Sequence, residues 1–461
     1  MQIPKILSKI ANRLQKESAK AIIVGGAVRD FLLNKAIKDY DIEVFGLGSL
    51  EELESILSEF GKVNLVGKSY GILKLKVGSE EFDFSLPRRE RKVGAGHKGF
   101  EVSVDGFMDF KEAARRRDFT INAMGFDILN NKILDPFNGR EDLKNRILRV
   151  VDKKTFIEDP LRVYRGIQFA ARFDLEIEEE SFKLLKEMVN SGILEELPKE
   201  RIFEEFKKLL LKAKKPSKGF EIMRALGILK YYPELEALIG VEQNPKWHPE
   251  GDVWTHTMLA LDKMAQMLVE RDDLTQKEKL KFMLTILCHD FGKPLCTKQK
   301  EDGTLTSYGH EKLGVEPTIK FLNRLTNDVK LIESITPLVE HHLKPIIYYK
   351  NGAKDSTIRR LSTKVNISDL VLVARADNLG RTTKEALNNE FKAGDWLLKR
   401  AKDLQVDKEP PKPLIMGRDL INLGLKPSKK FKDILQKVYR AQLDGLIKDK
   451  REAIEFTKSL L

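Results

Sequence analysis

Cysteine is almost absent: Cys288 and Cys296 are the two in 461 residues. That excludes a disulfide framework and points to a reducing compartment, the cytoplasm. No run approaches the ~20 apolar residues of a membrane span. The opening Met1-Gln2-Ile3-Pro4-Lys5 has no secretory apolar segment. Internal repeats and low-complexity tracts are missing as well, which excludes solenoids and long disordered linkers. Histidine is scarce and unevenly placed, with every one except His97 lying from His248 onward.

What remains is a soluble globular composition, 41% hydrophobic, in a chain long enough for two to four domains. The net charge of +12 favours a polyanionic partner.

The richest stretch runs from Ile22 to Phe45. It reads as an apolar strand (Ala21 to Val24), Gly25-Gly26, and a helix opening Ala27-Val28-Arg29-Asp30. Two glycines admit a phosphate close to the backbone. The helix start adds N–H groups and the positive end of its dipole, and Arg29 adds a full charge. A second strand is expected to carry Asp39-Tyr40-Asp41 into Ile42-Glu43-Val44-Phe45. Residues two apart on a strand share a face, so Asp39 and Asp41 aim at one spot, a seat for Mg²⁺ with phosphate. Helices are expected over residues 3 to 20 and Leu50 to Phe60. Strands follow at Val63–Val66, Gly71–Val77 and Glu81–Leu86. Alternation in Phe82-Asp83-Phe84 puts Asp83 on the polar face, where a general base for a sugar hydroxyl would sit.

The basic, glycine-broken run Pro87 to Gly99 predicts irregular structure. Arg115-Arg116-Arg117 suits a triphosphate, and Asp118 and Asn122, a helical turn apart, suit a ribose or each other. Near Glu158 another helix begins. Asp159, Arg162 and Arg165 recur every three residues along one face. Helices are expected at Glu178–Ser191, Lys199–Lys214 and Ser217–Leu229, with Lys207, Lys208, Lys212, Lys214 and Lys215 suited to RNA phosphates.

Taken in order, these motifs resemble the polymerase-β-type nucleotidyltransferase superfamily. The branch is that of tRNA nucleotidyltransferases (CCA-adding enzymes, bacterial class II) and bacterial poly(A) polymerases. The resemblance implies that Gly25, Gly26, Arg29 and Arg117 place a triphosphate, with Asp118 in the same motif. It implies a flexible loop at the basic run. It also implies that Asp159 and Arg162, supported by Arg165, select CTP and ATP without a template. Gln168 stands where relatives often carry arginine; it still offers hydrogen bonds but no charge.

The sequence changes character near Trp247-His248. His256, His289-Asp290, His310, His341-His342 and Asp377 lie near apolar helical runs, and imidazoles with carboxylates suit a divalent transition metal. The order His256, His289-Asp290, Asp377 resembles the HD phosphohydrolase superfamily. This implies one metal on those four, Ni²⁺, Mn²⁺ or Co²⁺ being candidates. His310, His341 and His342 fall where binuclear members hold a second. Lys293 is expected to steady a substrate phosphate, His248 to be structural and Cys288 to be core.

The expected architecture is an α/β head with a small mixed sheet (1–145), an all-α neck and body for base selection and tRNA binding (146–245), an α-helical HD domain (246–400) and a basic helical tail (401–461). The expected activity is addition of CCA to tRNA from CTP and ATP, with metal-dependent phosphohydrolysis beside it. Alternatives left open are a poly(A) polymerase, a CC- or A-adding enzyme, and a phosphohydrolase whose head only binds RNA. No membrane partner is expected, and the sequence leaves a homodimer open.

Overall fold

Apolar residues at helical spacing start the chain. In α1 (Lys5–Gln15), Leu7, Ile10, Ala11 and Leu14 fall on one face and are buried. They cover a sheet built from β1 (Lys20–Val24), β2 (Asp41–Phe45), β3 (Lys62–Val66), β4 (Ile72–Val77) and β5 (Glu80–Ser85). Between β1 and β2 lies α2 (Gly26–Leu32), and between β2 and β3 lies α3 (Leu50–Ser58). A separate hairpin pairs β6 (Arg88–Lys92) with β7 (Phe100–Val104). After α4 (Phe110–Arg115), β8 (Gly125–Asp127) and β9 (Lys132–Leu134) complete the sheet, whose order is β3-β4-β5-β2-β1-β8-β9. The β2–β5 pairing is parallel and the others are antiparallel.

Strand alternation separates two faces. Ile23, Ile42, Val44, Leu73, Leu75, Phe82 and Phe84 pack with α1, Val28 and α3. Ile22, Val24 and Phe45 face the other way, onto Met108 and Ala113. Asp41 and Glu43 share that second side with Phe45.

This computed structural model describes every residue except Gln2, 67–70 and 93–99, and the side chains of 90–102 are also left out. Gly94, Gly96, His97 and Lys98 of the basic run, and most of the Val66–Tyr70 turn, lie outside the described residues. Within that run, Arg88–Lys92 corrects the expectation of irregular structure. Its partner is the next strand, Phe100–Val104, and ladder bonds to it override the local charge pattern.

The chain forms two compact units, Met1–Ala213 with Lys218–Ile228, and Lys214–Ser217 with Leu229–Leu461. The first unit continues from the sheet into α5 (Leu161–Phe173), α6 (Glu179–Asn190) and α7 (Lys199–Lys212). The second is mainly helical, with α8 (Val253–Val269), α9 (Gln276–Cys288), α10 (Val329–His341) and α11 (Ile367–Leu379); His256 and Asp377 lie within α8 and α11, while His289 and His342 cap the ends of α9 and α10. Thr275 and Glu278 close a capping box on α9, and Asp252 caps α8. At the end of the chain, α12 (Lys430–Leu443) and α13 (Lys450–Lys458) share a small core of Ile415, Leu420, Val438 and Ala453. Among the described residues no helix is long and apolar enough to cross a membrane.

Candidate active sites

The glycine turn is shaped around two guanidinium groups. Gly25 has φ +70°, and a Cβ there would lie 3.0 Å from an Arg117 amine. A Cβ on Gly26 would lie 3.2 Å from Arg29 Nη2. Arg29 is itself buried; it donates to Asp30 at 2.7 and 2.9 Å and to Asn122 at 2.6 Å, and lies 4.3 Å from the Phe173 ring centre. Its charge is thus partly matched within the protein.

Asp39 precedes β2, whose first residue is Asp41. Strand alternation therefore does not set the aim of Asp39, contrary to the sequence expectation. β1 ends at Val24, paired with Asp41, so β1 offers Asp39 no ladder partner. The two acids still interact. Burial pushes the Asp41 carboxyl up, Arg117 pulls it down, and the charges of Asp83 and Asp39 push it up again. Asp83 lies opposite Asp41 in the β2–β5 register. Phe82 and Phe84 beside it point into the core, as alternation requires. Lys74, its neighbour on β4, places Nζ 3.1 Å from Asp83. The charges of Asp83 and Asp39 both act on Asp41, and a divalent cation beside it would relieve that repulsion.

Glu43 escaped sequence reading. It is buried, two residues past Asp41 on the same face, and pairs with both Arg116 and Arg117. The signal was present in the strand period. Burial lowers the Arg117 pKa while Glu43 and Asp41 raise it.

Asp118 and Asn122 hold each other at 2.9 Å, and Arg165 donates to Asp118 at 2.5 and 2.8 Å. Burial would raise the Asp118 carboxyl, but Arg165 and Asn122 hold it at about 2. Asp159 lies just before α5 and pairs with Arg201 of α7 at 3.3 Å. Arg162 donates to the carbonyls of Thr155 and Arg116 at 2.8 and 2.7 Å. Gln168 is 1% exposed, and its Oε1 has no hydrogen-bond partner among the described residues.

The second unit gathers four imidazoles. The Nδ1 of His289, His310 and His342 lies 2.6, 2.7 and 2.7 Å from the carbonyl oxygens of Ile286, Ser307 and Val339. A carbonyl accepts only from N–H, so each neutral ring keeps its lone pair on Nε2. Those lone pairs converge: His289 and His256 meet Nε2 to Nε2 at 3.4 Å, His310 and His342 at 3.3 Å. Asp377 Oδ1 lies 3.1 Å from His256 Nε2. Asp290 spans both pairs, with Oδ2 3.2 Å from His289 and Oδ1 3.2 Å from His310. Both Asp290 oxygens are buried, and Oδ2 also lies 2.7 Å from Lys293 Nζ. Burial would push this carboxyl up; His289 and Lys293 outweigh that and hold it well below the usual range. His256, His289 and Asp377 form one metal-competent group, and Asp290, His310 and His342 another. Convergent lone pairs around a buried carboxylate fit divalent metal.

Two expectations are corrected here. His342 joins the second group and His341 does not. Adjacent residues at a helix end diverge by about 100°, so only one of the pair faces the cluster. Lys293 is buried and committed to Asp290 at 2.7 Å and Gln243 at 2.6 Å, so it is a tether for the acid rather than a free phosphate contact. Cys288 is fully buried among core residues. His248 lines the cavity over the cluster, a space of about 740 Å³, together with Trp247 and Tyr308. Glu250, not singled out in the sequence, bonds both His248 and His256.

Three family models match: the poly A polymerase head domain over residues 21–149, the probable RNA and SrmB-binding site of polymerase A over 174–239, and the HD domain over 253–382. The chain is 37% identical to the multifunctional CCA protein of Mannheimia succiniciproducens, over 78% of this chain and 84% of that one. It is 36% identical to that of Neisseria meningitidis serogroup A, over 79% and 83%. Its fold is similar to the Bacillus stearothermophilus CCA-adding enzyme in complex with CTP (TM-score 0.67, 20% identity, 100% and 98% covered). It is also similar to the Thermotoga maritima CCA-adding enzyme complexed with tRNA (TM-score 0.61, 22% identity, 99% and 96% covered).

Proposed function

This chain belongs to the multifunctional CCA protein family, and from that premise we propose how its residues add C, C and A to the 3′ end of tRNA from CTP and ATP. The observation that carries the reading is the register of Asp83 against Asp41, with Asp39 close by. Asp39 and Asp41 hold Mg²⁺, which when bound acidifies the tRNA 3′-hydroxyl and neutralises triphosphate charge. Asp83 accepts the proton of that hydroxyl. The hydroxyl oxygen bonds to the α-phosphorus as the bond to pyrophosphate breaks. Gly25 and Gly26, having no Cβ, let the triphosphate approach the start of α2, and Arg117, anchored by Glu43, supplies charge. Asp159 and Arg162 read the Watson–Crick edge, Arg201 and backbone carbonyls fixing their directions. Arg165, locked on Asp118, ties α5 to the arginine run, and Gln168 contributes its unpaired amide oxygen to the nucleotide pocket. A wrong base that leaves these groups unpaired is rejected by roughly 10⁴-fold.

We place this activity in the cytoplasm, with residues 1–145 as head, 146–245 as neck and body, 246–400 as HD domain and 401–461 as tail. The test is extension of tRNA transcripts lacking CCA, ending in CC, or complete, with CTP and ATP singly and together. Growth by two C and one A, then a stop, with loss in Asp39→Ala, supports the reading. A stop after CC, addition of A alone, or a long A tail each selects a different polymerase. No extension at all leaves the second site as the only chemistry.

A second reading is carried by the four converging Nε2 lone pairs and the buried Asp290 between them: metal-dependent phosphohydrolysis. His256, His289, Asp290 and Asp377 hold one ion, Ni²⁺, Mn²⁺ or Co²⁺, and Asp290, His310 and His342 hold a second. Asp290 is placed to orient an attacking water, with Lys293 fixing its carboxylate. Hydrolysis of bis(p-nitrophenyl) phosphate by chelated protein, with each metal restored in turn, tests it; silence with all three metals removes the activity.

A further inference from the structure

Three of the four converging histidines are oriented by the backbone beside them. His289 and His342 bond carbonyls three residues back on their own helices, and His310 bonds Ser307 likewise. His256 is different: its Nδ1 lies 2.8 Å from Oε1 of Glu250, a side chain in the loop before α8. The same oxygen is 2.9 Å from His248 Nδ1, and the other oxygen accepts the Thr382 N–H at 3.1 Å. The Glu250 side chain is 1% exposed. Thr382 follows Arg381, which holds Asp377 at 3.1 Å.

We propose that Glu250 is the positioning residue of the metal centre, fixing His256 as an Nε2 ligand and tying its loop to the segment that clamps Asp377. The proposal rests on the metal-centre reading above. A carboxylate accepts only from N–H, so the bond from His256 Nδ1 directs the lone pair of the neutral ring to Nε2, toward Asp377 and His289. One oxygen shared by two rings holds His248 against His256, their ring centres 4.6 Å apart. The second oxygen links the loop to the end of α11. Removing the carboxylate frees a ligand that no carbonyl holds and loosens the junction beside another.

The three atoms His248 Nδ1, Glu250 Oε1 and His256 Nδ1 lie close enough to hold an ion themselves. Hydrogen bonding accounts for their distances without one, and His256 would have to lose both ring protons to serve two ions. Metal stoichiometry separates these cases.

The experiment uses the full chain with Asp39→Asn and Asp41→Asn, so that the head carboxylates bind no metal. The stripped protein is titrated with Co²⁺, followed by its visible d–d absorption and by calorimetry. The expected result is two ions per chain, with Glu250→Gln binding the same number 10–100-fold more weakly and with an altered d–d band. Circular dichroism and the unfolding midpoint of the stripped form should match the parent. If Glu250→Gln fails that check, Glu250→Asp, one methylene shorter, must show the weaker binding instead. Affinity and spectrum equal to the parent overturn the role of Glu250 alone. A third ion lost in the variant makes the group a metal site and overturns it too. A parent that takes up no Co²⁺ overturns the metal centre and the role of Glu250 with it.

Discussion

At Gly25 a single methyl group has no room. The residue holds φ +70°, and a Cβ would press on Arg117 at 3.0 Å. Gly25→Ala is expected to lose about 1–3 kcal/mol from a positive-φ backbone that suits glycine alone and to displace the guanidinium. Steady-state CTP incorporation should fall at least tenfold in kcat/KM, and an unchanged rate would mean Arg117 is not poised on the turn. Asp118 allows a test by pH. Burial opposes its ionisation, yet Arg165 and Asn122 keep it at about 2, below the ~3.9 of an unfolded aspartate. A depressed carboxylate stabilises the fold above the unfolded pKa, and the contribution is lost as pH falls through the folded one. Asp118→Asn should therefore lose about 2 kcal/mol at pH 7, with parent and variant urea midpoints converging between pH 4 and pH 2. Midpoints equally separated across that range would remove charge as the cause. Residues whose partners follow from local period were legible in sequence, Asp83 among them. Glu43 was equally periodic and overlooked, because a buried acid declares itself only through its arginines. Glu250 is bonded by Thr382, 132 residues on, and His342 rather than His341 meets His310, 32 residues back, contacts that no local pattern encodes.

The strand pair β2–β5 is where an element, more than any residue, makes the chemistry. Register puts Asp83 beside Asp41, and one residue of slip would turn Asp83 into the core and Phe82 or Phe84 outward. Asp83→Asn preserves that register, so its effect belongs to the carboxylate. The turnover rate should drop by roughly 10²–10⁴, as for loss of a general base, with the KM for CTP changed little. A matched rise in KM instead would assign Asp83 to binding. The helix α5 is seated in a comparable way. Gly166 leaves space for the Phe119 ring, which a Cβ would approach to 2.9 Å, and Phe119 packs edge-on against Phe156 and Phe169. Gly166→Ala overpacks this contact and should destabilise by about 1–3 kcal/mol in thermal unfolding, blurring CTP and ATP selection as α5 shifts. Periodicity located α1, α3, β3 to β5 and the main helices of the first unit within a few residues, since each buries one face. The β6–β7 hairpin does not follow from the sequence because the charged run Arg88–Lys92 hides its strand, nor does the start of β2, because Asp39 outruns its partner strand.

At the scale of the whole molecule, two candidate centres stand on two separate cores. The first unit closes its sheet over α1, α2 and α3, and the second buries Trp254, Phe282 and Ile335. A lesion that leaves its own core intact should therefore silence one chemistry only. Asp41→Ala is expected to abolish tRNA extension while phosphohydrolysis persists; His289→Ala is expected to do the reverse. Chelation should stop both, and the order of rescue discriminates between them. Carboxylate oxygens at Asp39, Asp41 and Asp83 favour the hard Mg²⁺ ion, whereas four imidazoles favour softer transition metals. Mg²⁺ alone should restore extension, and Ni²⁺, Mn²⁺ or Co²⁺ should be needed for hydrolysis. The excess positive charge of +12 adds a further handle on the polymer substrate. Raising KCl from ~50 to ~200 mM should raise the KM for tRNA at least tenfold, because phosphate contacts release counterions. The small substrate bis(p-nitrophenyl) phosphate should be hardly affected. Loss of both activities in Asp41→Ala would instead mean that the second centre depends on the first, and the independence inferred from separate cores would fall.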